Sequence, residues 1–150
     1  MPHSYISCHI HYIFSTKDRL KLISPDIKER LWAYMGGIAR ENKMIALSVG
    51  GTSDHVHILL NIPSTMSTAK AIQLIKGGSS KWVNDTFKTS QQFAWQEGYG
   101  AFSVSISGIN DTIAYIQSQE EHHKKRTFQE EYIAFLKKHG INYDERYLWD

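Results

Sequence analysis

The chain has 150 residues, 41% hydrophobic and 21% charged, with 17 Lys and Arg against 15 Asp and Glu. That length and composition fit one packed domain and exclude a disordered chain, and a formal charge of +2 excludes a strongly basic nucleic-acid coat without excluding a phosphate-bearing partner. One cysteine, Cys8, excludes an intrachain disulfide and a Cys-based zinc cage; with no membrane-length apolar run and no secretory pattern in Met1-Pro2-His3-Ser4, a soluble cytoplasmic protein with no membrane partner is expected.

In chain order, Tyr5 to Ser15 alternates. Ile6, Cys8, Ile10, Tyr12 and Phe14 share one face, and Tyr5, Ser7, His9, His11 and Ile13 the other, which predicts a strand with one core face. Ser24-Pro25-Asp26 starts a helix, with Ser as N-cap, Pro at the first helical position and an acid in the first turn. Ile27, Leu31, Tyr34 and Ile38 follow at helical spacing, and Asn42 ends it. Met44 to Val49 reads as a second strand, Gly50 to Asp54 as a turn, and His55 to Ile62 as a third strand stopped by Pro63.

A second helical region runs from about Ser67 to Phe87, interrupted at Lys76-Gly77-Gly78-Ser79-Ser80. A polar loop and an aromatic segment (Phe93, Trp95, Tyr99) lead to a fourth strand from about Ala101 to Ser107. Asn110-Asp111 caps a third helix carrying Ile113, Tyr115, Ile116 and Gln119. Thr127-x-x-Glu130 is a capping box for a fourth, with Phe128, Tyr132, Phe135 and Leu136 as its stripe and Gly140 as its stop. The order β-α-β-β-α-β predicts an α+β, ferredoxin-like split βαβ core over about residues 5–123, followed by a helical extension over about 127–150. Strands one and three would be central neighbours in a four-stranded antiparallel sheet, with two helices on one face and the other face open.

The unusual count is histidine, eight in all. His55 and His57, two apart on strand three, point to the same open face. Two neutral imidazoles there can chelate a divalent ion or grip a phosphate oxygen; a lone His-x-His is more often a pair of ordinary histidines. His9 and His11 form a matching pair on strand one, so a four-histidine surface is an alternative. Tyr115 and Gln119, four apart, share a helix face, and His122 continues the line. Spacing alone leaves Tyr115 a half-buried tyrosine with a wet hydroxyl.

Five segments in order resemble one family. Phe14-Ser15-Thr16-Lys17-Asp18-Arg19, Asp54-His55-Val56-His57-Ile58, Lys76-Gly77-Gly78-Ser79-Ser80, Trp95-Gln96-Glu97-Gly98-Tyr99 and Tyr115-Ile116-Gln117-Ser118-Gln119 resemble the signatures of the insertion-sequence-200-like single-tyrosine HUH transposases. Glu120 to His123 and the final helix look like the subgroup of REP-associated tyrosine transposases. The resemblance implies His55, His57 and Gln119 as ligands of a Mg²⁺ or Mn²⁺ ion that polarises the scissile phosphate. It implies Tyr115 as the nucleophile, a 5′-phosphotyrosine link with a free 3′-OH, and resealing by another 3′-OH. It further implies recognition of hairpins in single-stranded DNA and a homodimer. Imidazoles bind Mg²⁺ weakly and Mn²⁺ or Zn²⁺ better, so the ligand set leaves the ion open. The phosphotyrosine stores the bond energy, and with no P-loop in the chain no nucleotide cofactor is expected.

His9, His11 and His122 are candidate bases for the Tyr115 proton. Lys17, Arg19, Lys21, Lys76, Lys81 and Lys124-Lys125-Arg126 are candidate phosphate contacts, each singly also an ordinary solvated cation. Lys76-Gly77-Gly78-Ser79-Ser80 is either a phosphate cradle, which would bring in Ser79 and Ser80, or a glycine break. Trp95, Tyr99 and Phe102 are candidates to stack on bases, with core packing the alternative for Trp95. Two other activities share these residues: a catalytically idle or domesticated nucleic-acid-binding module, and a His-cluster phosphohydrolase using water.

Overall fold

The computed structural model of the chain describes residues 3–88 and 91–150. Met1 and Pro2, and Thr89 and Ser90 of the expected polar loop, lie outside the described residues. The strands are β1 (His9–Ser15), β2 (Ile45–Gly51), β3 (His55–Asn61) and β4 (Gly100–Val104). The helices are α1 (Pro25–Glu41), α2 (Thr68–Thr86), α3 (Ile109–Gln117), α4 (Gln119–His122) and α5 (Phe128–Lys138). The sheet is antiparallel throughout, in the order β2-β3-β1-β4, the arrangement expected of a split βαβ core. β1 and β3 lie side by side, with Ile13 opposite His57 and Ser15 opposite His55.

Alternation sorts each central strand onto two faces. Ile10, Tyr12 and Phe14 of β1, with Val56, Ile58 and Leu60 of β3, join Leu31 and Met35 of α1 and Ile72 and Ile75 of α2 in the main core. Gly78 faces that packing: a Cβ there would meet Ile38 Cδ1 at 2.9 Å, so a larger residue would have to turn the Ile38 side chain aside. α2 runs unbroken through Lys76-Gly77-Gly78-Ser79-Ser80, where the sequence suggests an interruption. Packing against α1 outweighs the roughly 1 kcal/mol that each glycine costs a helix.

The other face is not open, contrary to expectation. Ile13 and Phe102 pack under Phe128, Tyr132 and Leu136 of α5, and Leu59 packs under Ile109 and Ile116 of α3. Ile13 and Leu59 are the apolar residues on the nominally outer faces, and they are what those helices cover. α3 approaches β2 closely because Gly50 has no side chain: a Cβ there would lie 2.5 Å from the Ile116 carbonyl oxygen. The expected capping box starts α5, with Glu130 N–H donating to Thr127 Oγ1 and Thr127 N–H to Glu130 Oε1, both at 3.2 Å. Gly140 closes the helix with φ +65°.

Boundaries differ in four further places. Residues 5–8 precede the strand rather than belong to it, β2 continues through Gly50 and Gly51, and β4 ends at Val104. The single third helix breaks at Ser118 (φ −107°, ψ 24°). The Ser118 hydroxyl donates to the carbonyls of Ala114 and Tyr115 (2.9 and 3.2 Å), competing with the helical ladder.

Lys76 acts as a clamp. Its ammonium donates to the carbonyls of Gln96, Glu97 and Gly98 at 2.7, 3.0 and 2.8 Å, fastening α2 to the segment before β4. Lys76→Met should lower stability by about 2 to 3 kcal/mol, since charge-assisted bonds to half-buried carbonyls are lost with no replacement. A urea midpoint unchanged from wild type would refute the clamp.

Candidate active site

The site forms where α3, α4 and α5 cross β1 and β3. His55, His57 and Glu131 are fully buried (each 0% exposed), and Gln119 is buried beside them. His55 and His57 point to one side of β3, and α5 brings Glu131 over them. Glu131 Oε1 lies 3.0 Å from His57 Nε2, 4.0 Å from His55 Nε2 and 3.2 Å from His123 Nε2. Gln119 Oε1 is 3.1 Å from His55 Nε2 and 3.2 Å from His123 Nε2. The Tyr115 hydroxyl donates to Glu131 Oε2, so one carboxylate joins the tyrosine to the histidines. The Arg126 guanidinium is 3.5 Å from the same hydroxyl.

Neighbouring groups set the ring orientations. His55 Nδ1–H donates to Asp54 Oδ1 at 2.9 Å and lies 2.9 Å from Thr52 Oγ1, whose hydroxyl donates to Asp54 at 3.1 Å. His55 Nε2 is then left with a lone pair facing the Gln119 oxygen, while the Gln119 amide nitrogen donates to the Tyr115 carbonyl at 3.1 Å. A cation between these two acceptors resolves the opposition. His57 Nδ1 meets His11 Nε2 at 2.8 Å. That bond works in either direction, so His57 can direct a proton at Glu131 or a lone pair at an ion. Imidazole ligands held through their second nitrogen, beside a buried carboxylate, suit a divalent metal.

Spacing agrees. Metal bonds of about 2.1 Å place octahedral donors roughly 3.0 to 4.2 Å apart. The 3.0, 3.1 and 4.0 Å separations among His57, His55, Gln119 and Glu131 fall in that range.

Burial lowers His57 to about 4, against the hydrogen bond and charge of Glu131, so this imidazole is neutral at pH 7. Burial, then the neighbouring His57, also holds His11 well below its ordinary value. Burial would raise the Glu131 carboxyl, but hydrogen bonds from His123 and His57, with the other contacts, hold it well below the usual carboxylate range. Tyr115 is pushed up to about 12, by burial first and then by Glu131, with Arg126 opposing. At rest the nucleophile candidate is therefore a neutral phenol hydrogen-bonded to a carboxylate.

These shifts fix the sign of a pH effect. As pH falls through about 6.5 the unfolded chain protonates its histidines while folded His57 stays neutral down to about 4. Stability is therefore lost across that window, and the Glu131 contribution goes at still lower pH. Metal-free thermal melts should show Tm dropping from pH 6.5 toward 4.5, with a shallower drop in His57→Gln. A Tm independent of pH would contradict the assignment of a neutral buried cluster.

The expected site residues separate into groups. His55, His57, Gln119 and Tyr115 come together. His11 joins them through His57, whereas His9 bonds Ser7 Oγ at 3.5 Å, so no four-histidine surface of the expected composition forms. The His122 ring lies tilted against the Tyr115 ring (centroids 4.4 Å apart), but it is Glu131, absent from the expected bases, that accepts the hydroxyl proton's hydrogen bond. Glu131 and His123 are the site residues not foreseen. The signal for Glu131 is an acid inside the apolar stripe Phe128, Tyr132, Phe135 of α5.

Among the expected phosphate contacts, Lys17 and Arg19 are exposed just beyond the end of β1, near His55. Lys81 is exposed on α2 and pairs with Asp85, and the Ser80 hydroxyl donates to the Gly77 carbonyl. Lys76 is already engaged by its three carbonyls. Ser79 is buried and accepts from Trp95 Nε1 at 3.0 Å. Trp95 packs on Phe14 in the core, Phe102 packs under α5, and Tyr99 lies against Tyr12.

The chain matches a family model described as "Transposase IS200 like" over residues 4–119. It is 25% identical over 131 residues to the transposase for insertion sequence element IS200 of Salmonella typhimurium, covering 83% of this chain and 84% of that protein; the Salmonella typhi protein matches equally. Its fold is similar to the crystal structure of a candidate transposase from Deinococcus radiodurans R1 (TM-score 0.63, 22% identity, 79% of this chain and 96% of that one). It is also similar to a REP-associated tyrosine transposase bound to a REP hairpin (TM-score 0.55, 12% identity, 77% and 68%).

Proposed function

Because the chain belongs to the IS200-like transposase family, we propose that it cuts and rejoins single-stranded DNA with Tyr115 as the nucleophile. The observation that carries this reading is the Tyr115 hydroxyl bound to the same buried carboxylate that His57 and His123 engage, beside His55 and Gln119. His55, His57 and Gln119, with Glu131 as a further donor, would hold the Mg²⁺ or Mn²⁺ ion, which supplies charge stabilisation at a non-bridging phosphate oxygen.

The residues of the chain do the rest. Glu131 holds the Tyr115 hydroxyl in place and is the acceptor for its proton as the Tyr115 oxygen attacks phosphorus. An O–P bond forms to Tyr115 and the P–O3′ bond breaks. The 3′ oxygen leaves as a hydroxyl after gaining a proton, and the 5′-phosphate stays on Tyr115. Attack by a second 3′-OH reverses these bonds and releases Tyr115. Arg126 offsets charge at the tyrosine oxygen. Lys17, Arg19 and Lys81 are among the exposed cations that would meet DNA phosphates. A hairpin-ended strand is the proposed substrate, since one fold relative is a hairpin complex.

The test is single-stranded DNA carrying the hairpins that flank the gene, incubated with Mn²⁺ and run on a denaturing gel. A protein–DNA adduct is expected. Cleavage with no adduct would favour a water-using phosphohydrolase. The expected homodimer can be examined with the same assay. Tyr115 and the His pair meet within one chain, so mixing Tyr115→Phe with His57→Ala chains should not restore adduct. Restoration to about a quarter of the wild-type level, one intact composite site in each mixed dimer, would instead place the tyrosine on its partner's site.

A further inference from the structure

A cavity opens beside Tyr115, on the side of the molecule where α3 and α5 meet. Its volume is about 320 Å³, at the low end for ligand pockets. Tyr115 and His11 form the wall it shares with the histidine cluster. Phe135 of α5 lies along it, edge-on to His11 with centroids 5.2 Å apart. Arg126 and Lys138 are exposed cations at its rim, and Asp111 and Thr112 of α3 offer oxygen acceptors. The four lining residues from 126 onward, Arg126, Ala134, Phe135 and Lys138, lie beyond the segment matched by the family model.

We propose that this pocket holds the nucleotide on the 3′ side of the cut, its base against Phe135 and its phosphates facing Arg126 and Lys138. The inference rests on Tyr115 as the nucleophile. In an in-line transfer the bond to the leaving 3′ oxygen breaks opposite the attacking atom. The nucleotide bearing that oxygen departs away from Tyr115, while the one attached through its 5′ oxygen stays linked to it. A pocket walled by Tyr115 is therefore placed for the nucleotide that is retained. Its chemistry agrees: an aromatic face accepts any base, two cations accept phosphate, and the oxygens of Asp111 and Thr112 accept hydrogen bonds from a base edge. A bare anion would use the cations and leave Phe135 idle, with Asp111 opposing it.

Two measurements decide it. In EDTA, where no transfer proceeds, deoxycytidine 5′-monophosphate titrated into the full chain should shift the amide resonances of Thr112, Arg126, Phe135 and Lys138. Binding should be at least about fivefold tighter than for deoxycytidine or inorganic phosphate. Arg126→Ala and Lys138→Ala should each weaken it, and Lys70→Ala, on the opposite layer, should not. Equal binding of inorganic phosphate, or shifts confined to other surfaces, would overturn the pocket.

In the adduct assay, with the cut mapped, an abasic site 3′ of the cut should lower adduct yield by about fivefold or more, and one 5′ of the cut by less. Equal effects, or the reverse order, would overturn the placement. If the intact strand gives no adduct at all, the nucleophile reading fails, and the nucleotide titration still decides whether the pocket binds.

Discussion

Tyr115→Phe should abolish the covalent protein–DNA adduct, a fall of at least about a thousandfold, equivalent to about 4 kcal/mol in the barrier. The substitution removes one oxygen. The ring keeps its contacts with His122 (4.4 Å between centroids) and Phe135 (5.8 Å), so the fold of α3 is retained. What disappears is the atom that forms the bond to phosphorus and the hydrogen bond to Glu131. Single-stranded DNA binding, measured by anisotropy in EDTA, should change less than about threefold, because phosphate contacts depend on cations rather than on this hydroxyl. A Tyr115→Phe chain that still cleaves with the wild-type rate would remove tyrosine from the mechanism.

Glu131→Gln should weaken Mn²⁺ binding by about 10- to 100-fold in titration calorimetry and lower adduct formation at least as much. Glutamine has nearly the same shape, so packing under α5 is preserved. It removes the negative charge that faces His57, His123 and the Tyr115 hydroxyl. A carboxylate also answers a difficulty of a purely His₂-Gln ligand set. Mg²⁺ and Mn²⁺ favour charged oxygen donors, and Glu131 supplies one. His55→Ala should lose metal binding by a similar or larger factor. Unchanged or tighter Mn²⁺ binding in Glu131→Gln would mean that the carboxylate competes with the ion rather than holding it.

The elements carrying strong alternation or caps were legible in the sequence: β1, β3, the Ser24-Pro25 start and the capping box of α5 each agree with the structure to within a few residues. The sheet order followed from the βαββαβ pattern. The covered second face was harder to read. On their strand faces Ile13 lies between His11 and Ser15, and Leu59 between His57 and Asn61, and only the packing of α3 and α5 shows that those positions are core. Glycine misled at Gly77-Gly78, where helix packing rather than propensity decides the local structure.

At the site, the His55/His57 pair was visible because it depends on one strand's geometry, and the Tyr115/Gln119 spacing was visible although the helix breaks between them at Ser118, because the Gln119 amide still donates to the Tyr115 carbonyl one turn back. Glu131 was not, because its partners lie 74 and 16 residues away in sequence. It contributes through the docking of α5, which no local pattern records. Lys76 and Ser79 show the converse. Their spacing suggests a phosphate cradle, while their polar atoms meet Gln96, Glu97, Gly98 and Trp95 within the fold.

The most direct test of the central claim is mass spectrometry of the protein recovered from the Mn²⁺ reaction after digestion of both protein and DNA. One peptide, containing Tyr115, is expected to be heavier by a nucleotide joined through its 5′-phosphate, with a matching DNA fragment ending in a free 3′-OH. A nucleotide on any other residue, or cut DNA with unmodified Tyr115 and free 5′-phosphate ends, would contradict the claim.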